Sequence, residues 1–182
     1  MDQNKKIETA YFSGGCFWCL EAVFTRVKGV VSSVSGFAGG EKENPSYEDV
    51  SSGTTGHAET VKIGFDPALI SYKDLLSVFF YIHDPTSLNR QGDDVGTQYR
   101  SAIFYADEAQ KKIADDFVSS LASEKTYKKP IVTEIMPLKK FYQAEEYHQH
   151  YFEKNPNESY CTLVIAPKVE KLKAAFKKFY RS

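Results

Sequence analysis

The 182-residue chain lacks an excess of charge of either sign. Its 23 lysines and arginines nearly balance its 24 aspartates and glutamates, and no basic stripe stands out. Proteins that hold nucleic acid through its phosphates carry clustered positive charge. The composition therefore argues against a nucleic-acid partner.

Long apolar runs are also missing. The N-terminal sequence MDQNKKIETA has no apolar signal-peptide core, and no run approaches the ~20 apolar residues that span a bilayer. The length suits one domain with a sizeable core, and the chain shows neither repeats nor linkers. We expect one domain, residues 1–182, in the cytoplasm and without a membrane partner.

Cysteine is scarce, because the chain has only three. That odd, small number excludes a disulfide scaffold and indicates free thiols used for catalysis or metal binding. A zinc site would need a second set of ligands, but Cys161 is isolated and the four histidines have no ligand spacing. We predict no metal site.

The hydrophobic pattern predicts short strands and helices in an irregular order. Without the regular rhythm of a doubly wound sheet, this order predicts an α+β domain with a mixed, mostly antiparallel sheet. Two long polar loops, EKENPSYEDVSSGTTGH and DPTSLNRQGDDVGTQYR, are candidates for function. After the first strand and helix, the predicted strands are 30–37, 58–66, 101–106 and 131–135, and the predicted helices are 71–82, 107–123, 144–154 and 167–179.

The stretch FSGGCFWCLEAVF predicts a nucleophile at Cys16. The strand 7–12 stops at a glycine turn and a helix starts at Cys16, where the positive end of the helix lowers the pKa of a thiol. A buried, inert thiol is the alternative. Phe17 and Trp18 predict an exposed apolar wall beside the thiol, with plain core packing as the alternative for either ring.

Cys16 and Cys19 also match the Cys-x-x-Cys of a thioredoxin-like disulfide exchanger. That chemistry too uses a helix start after a strand. The bulky residues between the two cysteines weigh against it. A thiol-disulfide oxidoreductase using Cys16 and Cys19 remains the alternative function.

A second group of candidates surrounds Glu59. In the strand AETVKIGFD, alternation puts Glu59 on the same face as Val61, Ile63 and Phe65. Burial without a cation raises the pKa of a carboxyl and leaves it protonated near neutrality, as a general acid must be. An ion pair at the sheet edge is the alternative. The neighbouring polar loops supply Tyr47, Asp94 and Tyr99.

These groups together suit one kind of chemistry. Tyrosines are neutral donors that stabilise a developing oxyanion without fixed charge. A thiolate, a protonated carboxyl, phenol donors and an apolar wall fit attack on a neutral, oxygen-bearing centre that carries an apolar substituent. A methyl sulfoxide fits that description.

The sequence closely resembles the peptide methionine sulfoxide reductase A family. The likeness runs through GCFWCLEAVF, SGFAGG, NPSYEDVSSGTTGHAETVKIGFDP, NRQGDDVGTQYRSAIFY and FYQAEEYHQHYFEKNP to YC, in the family's order. It implies a two-layer α/β sandwich around a mixed, mostly antiparallel sheet with a ferredoxin-like core. It also implies reduction of methionine S-sulfoxide, free or in proteins, by a monomer without metal or organic cofactor.

The resemblance assigns roles to the residues already singled out. It implies that the Cys16 thiolate attacks the sulfoxide sulfur, that Glu59 with Tyr47 and Tyr99 protonates the oxygen, and that Cys16 becomes a sulfenic acid. A second thiol then forms a disulfide, and thioredoxin or a similar dithiol restores the enzyme. The pocket residues implied are Phe17, Trp18 and Asp94.

The resolving cysteine stays open between two candidates. Many relatives resolve with a cysteine in the C-terminal segment, which here matches Cys161, and this analogy favours it slightly. Cys19 lies in the first helical turn, where a disulfide between residues i and i+3 is geometrically possible. Besides disulfide exchange, the remaining alternative is a protein that binds the sulfoxide or a peptide without turnover.

Overall fold

Eight strands and six α-helices follow one another along residues 6–181, the part of the chain that the computed structural model describes. Residues 1–5, which belong to the stretch MDQNKKIETA considered above, and residue 182 lie outside it. The strands are β1 (Glu8–Ser13), β2 (Val30–Ala38), β3 (Ala58–Phe65), β4 (Arg90–Gln91), β5 (Asp94–Val95), β6 (Ala102–Tyr105), β7 (Glu134–Pro137) and β8 (Phe141–Gln143). The helices are α1 (Phe17–Thr25), α2 (Tyr47–Ser51), α3 (Tyr72–Ile82), α4 (Glu108–Ser123), α5 (Tyr151–Lys154) and α6 (Ala166–Ala175).

Six of the strands form one sheet in the order β7-β6-β1-β3-β2-β8. Only β6 and β7 run parallel, and the other pairings are antiparallel. The succession β1-α1-β2-β3-α3-β6 places its four strands in the order β6-β1-β3-β2, which is the ferredoxin-like arrangement. The predicted fold class is confirmed.

The main core lies between this sheet and the helices. Alternation along β3 sends Val61, Ile63 and Phe65 into that core, where α1 packs against β2 and β3. A smaller apolar cluster, which includes Tyr11 and Phe104, lies apart from it. Glu59 shares the strand face of the main core and therefore points towards α1.

The turn between β1 and α1 depends on glycine. Gly15 has a φ of 89°, and a Cβ at this position would lie 2.6 Å from Cγ of Gln91. The left-handed conformation and the close approach both favour glycine. Cys16 then caps α1 in an extended conformation, and its carbonyl accepts a hydrogen bond of 3.1 Å from the Cys19 N–H.

The predicted helix 144–154 is wrong. This segment forms a 3₁₀ turn at Glu146–His148, a left-handed residue at His150 and only then α5. The buried amide of Gln149 accepts a hydrogen bond from Ser35 N–H and donates one to the Ser35 carbonyl, which fixes the segment on β2. These distant bonds outweigh local helical propensity.

Two further boundaries differ from the prediction. The strand expected at 131–135 is β7, which starts at Glu134 because its ladder with β6 starts there. The tail helix expected at 167–179 is α6, which ends at Ala175 and follows a π-helical turn, Cys161–Ile165. Within residues 6–181, no helix has the length and apolarity to cross a bilayer.

Candidate active site

The N-terminus of α1 meets β3 at the Cys16–Glu59 pair. A carboxylate oxygen of Glu59 accepts a hydrogen bond of 2.9 Å from the Phe17 N–H, in the first turn of the helix. The Cys16 thiol and this carboxyl are close enough for each to shift the pKa of the other. Cys16 is 7% exposed and Glu59 1% exposed. The sequence predicted this buried carboxyl, and the structure brings it to the thiol.

Burial dominates the protonation of both groups. It raises the pKa of Glu59 to about 8, although the hydrogen bond from Phe17 opposes the rise. It also raises the pKa of the Cys16 thiol well above its ordinary range, aided by Cys19 and Glu59. The prediction that the helix start lowers the pKa of Cys16 is wrong in this state, because burial exceeds the stabilisation by the backbone N–H of Trp18.

Helix α2 places Tyr47 near Cys16 and Glu59. Ser46 caps that helix through a capping box with Asp49, and the Tyr47 N–H donates a 3.0 Å hydrogen bond to Glu145. Burial raises the pKa of the Tyr47 phenol to about 12, and the carboxyl of Glu59 adds to the rise. Tyr47 is therefore a neutral hydrogen-bond donor beside Glu59.

Tyr99 reaches the same place from the second long loop. It ends a 3₁₀ turn that Arg100 ties to the loop before β3, with hydrogen bonds of 2.9 Å to the carbonyls of Thr97 and Gly56. Arg100 also forms an ion pair of 3.2 Å with Glu134. Burial raises the pKa of Tyr99, and Glu59 adds to it. Two phenols from two loops thus face one carboxyl.

Aromatic rings surround the thiol in two layers. Phe17 is fully buried against Phe37 and Tyr47, so the expectation of an exposed ring is wrong for this residue. Trp18 is only partly buried and stacks on Tyr151 with ring centroids 3.7 Å apart. Trp18 therefore supplies the accessible apolar wall, and Phe17 supports it from behind.

His148 orients the Trp18 ring. Trp18 Nε1 donates a hydrogen bond of 3.2 Å to Nδ1 of His148, which assigns the proton of the neutral imidazole to Nε2. Burial lowers the pKa of His148, so the neutral form is favoured. The His148 ring lies 4.2 Å from that of Tyr47 and links the two sides of the site.

Asp94 contacts a tyrosine of the C-terminal segment. It accepts a hydrogen bond of 2.7 Å from the Tyr160 hydroxyl, which lies 3.9 Å from the Cys19 sulfur. Burial raises the pKa of Tyr160, and Cys16 and Cys19 add to the rise. Asp94 therefore positions Tyr160 beside the thiols.

Cys16, Cys19 and Cys161 are free thiols, and each interacts with the next in this order. The Cys19 N–H donates a 3.1 Å hydrogen bond to the Cys16 carbonyl, the two thiols shift each other's pKa, and Cys161 interacts electrostatically with Cys19. The hydrogen bond from Cys16 lowers the pKa of Cys19 to about 7 against the effect of burial, and Lys168 and Tyr160 contribute. Burial raises the pKa of Cys161. Cys19 is thus placed and ionised more favourably than Cys161.

Sequence reasoning missed several members of the site. The predicted helix 144–154 contained His148 and Tyr151, but His148 ends a 3₁₀ turn and Tyr151 starts the separate short helix α5. Arg100 and Tyr160 carried no local signal of their own. Their positions depend on hydrogen bonds between loops distant in sequence. Among residues 6–181, no group of three or more histidines, cysteines or acidic residues has a geometry that fits a metal ion.

A helix-capping thiol, a buried protonated carboxyl and neutral phenol donors on a ferredoxin-like core define a thiol-dependent oxidoreductase. The family model described as peptide methionine sulfoxide reductase matches residues 8–180. The chain belongs to this family and is an enzyme that reduces methionine sulfoxide with a thiol. The function and the resemblance predicted from the sequence are confirmed.

Known relatives support the same assignment. The peptide methionine sulfoxide reductase MsrA of Polynucleobacter asymbioticus is 53% identical over 171 residues, which cover 94% of this chain and 90% of that protein. The reduced form of Mxr1 from Saccharomyces cerevisiae is 36% identical with a TM-score of 0.78, covering 86% of this chain and 90% of Mxr1. Mxr1 in complex with Trx2 is 28% identical with a TM-score of 0.55, covering 80% and 85%.

Proposed function

We propose that Cys16 attacks the sulfur of methionine S-sulfoxide and that Glu59 delivers the proton to its oxygen. The observation that carries this proposal is the buried contact between the Cys16 thiol, Glu59 and the first turn of α1. An acid with a pKa of about 8 is protonated at neutral pH, as the acid in this step must be.

The proton balance closes within this pair. Glu59 gives its proton to the sulfoxide oxygen while the Cys16 sulfur attacks, and the thiol proton then passes to the carboxylate of Glu59. The Cys16 sulfur thus bonds to the substrate sulfur, and the protonated oxygen leaves that sulfur as hydroxide. The hydroxide bonds to the Cys16 sulfur, the sulfur–sulfur bond breaks with its electron pair going to methionine, and Cys16 is left as a sulfenic acid. The raised pKa of Cys16 is compatible with this route, because the resting enzyme needs no free thiolate.

Tyr47 and Tyr99 stabilise the oxygen as negative charge grows on it. Their phenols carry no fixed charge and lie near Glu59 from two different loops. Preorganised donors of this kind act mainly in the transition state. Trp18 supplies the surface for the methyl group, with Phe17 behind it and Asp94 holding Tyr160 at the edge of the site.

Cys19 then resolves the sulfenic acid. The family analogy favours Cys161, but the interaction between the Cys16 and Cys19 thiols and the first-turn geometry of α1 support Cys19 instead. An external dithiol, thioredoxin or a similar protein, reduces the resulting disulfide. The complex of Mxr1 with Trx2 supports this choice of partner.

The chain acts as a single catalytic domain, a monomer in the reducing cytoplasm, without metal or organic cofactor. The match of one family model to residues 8–180 supports the single domain. The low cysteine content fits a reducing compartment.

The test is reduction of each sulfoxide epimer by dithiothreitol. The wild type forms methionine from the S epimer, and one equivalent of substrate leaves a dimedone-reactive sulfenic acid at Cys16 when Cys19 and Cys161 are serine. Cys16→Ser abolishes both results. Full activity of Cys16→Ser would overturn the proposal, and insulin reduction that requires Cys16 and Cys19 would favour disulfide exchange.

A further inference from the structure

We propose that Lys168, on the C-terminal helix α6, activates Cys19 as the thiolate that attacks the Cys16 sulfenic acid. The inference rests on the proposed function, in which Cys19 is the resolving cysteine. It assigns the recycling step to a residue outside every motif that carries the family resemblance.

The packing of α6 brings Lys168 to the thiols. Helix α6 follows directly after the π-helical turn Cys161–Ile165, and both pack against α1, which carries Cys19. Lys168 lines one cavity with Tyr160, whose hydroxyl lies 3.9 Å from the Cys19 sulfur, and it is close enough to lower the pKa of Cys19. Its side chain is half-buried, and the cavity, of about 210 Å³, is also lined by Asp94, which accepts the hydrogen bond of the Tyr160 hydroxyl.

The charges around Cys19 show what Lys168 contributes. The groups that face the Cys19 sulfur are Cys16 on its own helix, Tyr160, Cys161, Glu59 and Lys168. Lys168 is the one basic side chain among these five. An adjacent ammonium stabilises a thiolate and lowers its pKa.

Lys168 matters more for the Cys19 thiolate after the sulfoxide has been reduced than it does in the resting enzyme. The Cys16 thiol is the largest stabiliser of the Cys19 thiolate before substrate is consumed. Once Cys16 has become a sulfenic acid, that thiol no longer exists. Lys168 then remains with the Tyr160 hydroxyl, 3.9 Å from the Cys19 sulfur, when the attack must occur.

The step balances without a further reagent. The Cys19 thiolate attacks the Cys16 sulfur, a sulfur–sulfur bond forms and the sulfur–oxygen bond breaks. The departing hydroxide takes the proton of Glu59 and leaves as water. The Cys19 sulfur is oxidised and the Cys16 sulfur is reduced, so the disulfide holds the two electrons' worth of oxidation taken from the substrate.

The experiment is a single turnover of the full chain with one equivalent of methionine S-sulfoxide between pH 6 and pH 9. Methionine release reports the first step, and the fluorescence of Trp18, the one tryptophan of the chain, together with thiol titration reports disulfide formation. In Lys168→Met we expect unchanged methionine release and a second step about 10-fold slower at pH 7, with its pH profile shifted upward by about one unit. Lys168→Arg keeps the charge and restores the rate.

Lys171→Met is the matched control, because it removes the same charge from the same helix at an exposed position. It should leave both steps unchanged. If Lys168→Met also leaves the second step and its pH profile unchanged, or if the disulfide joins Cys16 to Cys161, the proposal fails. Absence of methionine and of the sulfenic acid in the wild type would instead overturn the proposed function.

Discussion

The Phe17 backbone N–H donates a 2.9 Å hydrogen bond to the Glu59 carboxyl, so the first turn of α1 and strand β3 meet at one buried acid. Two opposing effects act on that acid. The N–H at a helix start favours its charged form, and burial favours the neutral form. Burial wins and raises the pKa of Glu59 to about 8, which keeps the acid protonated at the pH where sulfoxide must be reduced.

Glu59→Gln tests this acid directly. Glutamine preserves the size and the acceptor oxygen for Phe17 but has no acidic proton to transfer, so we expect methionine formation in a single turnover to fall by about 10²- to 10⁴-fold. Glu21→Gln is the matched control. Glu21 lies on α1 and is also a buried carboxyl, and burial raises its pKa to about 7. Comparable losses in the two variants would contradict a specific acid role for Glu59.

The same carboxyl makes stability depend on pH. The folded-state pKa of Glu59, about 8, lies above the ordinary value of 4.5, so the folded chain binds one more proton than the unfolded chain between these values. Stability from this group is therefore full below pH 4.5 and declines as pH rises to about 8. We expect Glu59→Gln to raise the free energy of unfolding at pH 9 by roughly 3 to 5 kcal/mol relative to wild type.

Urea unfolding of reduced protein at pH 4.5 and pH 9 measures this difference. Glu21 is present in both the wild type and Glu59→Gln, so its effect cancels in the difference between their free energies of unfolding. The stabilisation should shrink towards zero at the lower pH, where both side chains are neutral. An equal difference at the two pH values would show that packing, not charge, causes it.

Local sequence patterns predicted the positions of Cys16 and Glu59 but not those of the surrounding residues. The glycine turn before Cys16 and the alternation around Glu59 are short-range signals, and both gave the right geometry. The segment that carries His148 and Tyr151 is not one continuous helix, because Gln149 bonds to Ser35, more than 100 residues away in the chain. The pKa of Cys16 was misjudged for a related reason, since burial is set by the whole fold.

The stack of Trp18 on Tyr151 is expected to form the pocket for the methyl group. Tyr151→Leu removes the ring at 3.7 Å and should raise the KM for the sulfoxide several-fold, because an aromatic pair contributes about 1 kcal/mol beyond its buried area. Tyr151→Phe keeps the stack and is the matched control. Steady-state kinetics with dithiothreitol separate KM from kcat, and a loss confined to kcat would argue against a pocket role.

Arg100 is expected to act through Tyr99. Its guanidinium holds the Thr97–Tyr99 turn against the loop before β3, so Arg100→Met frees the phenol from its place near Glu59. We expect kcat to fall about as far as in Tyr99→Phe, and the double variant to be little worse than either single variant. Arg90→Met, an exposed arginine of the same loop, should be silent. Additive losses would show that the two residues act independently.

The order of the three cysteines predicts which thiol recycles the enzyme. Cys19 contacts Cys16, whereas Cys161 is fully buried beyond Cys19 with a raised pKa. Cys19→Ser should therefore abolish turnover with thioredoxin but still form one methionine per enzyme in the first step. Cys161→Ser should keep most of the thioredoxin-dependent rate. Peptide mapping after one turnover should find Cys16 bridged to Cys19. A bridge from Cys16 to Cys161, with full recycling by Cys19→Ser, would instead require the π-helical turn Cys161–Ile165 to unwind and carry its cysteine across the site.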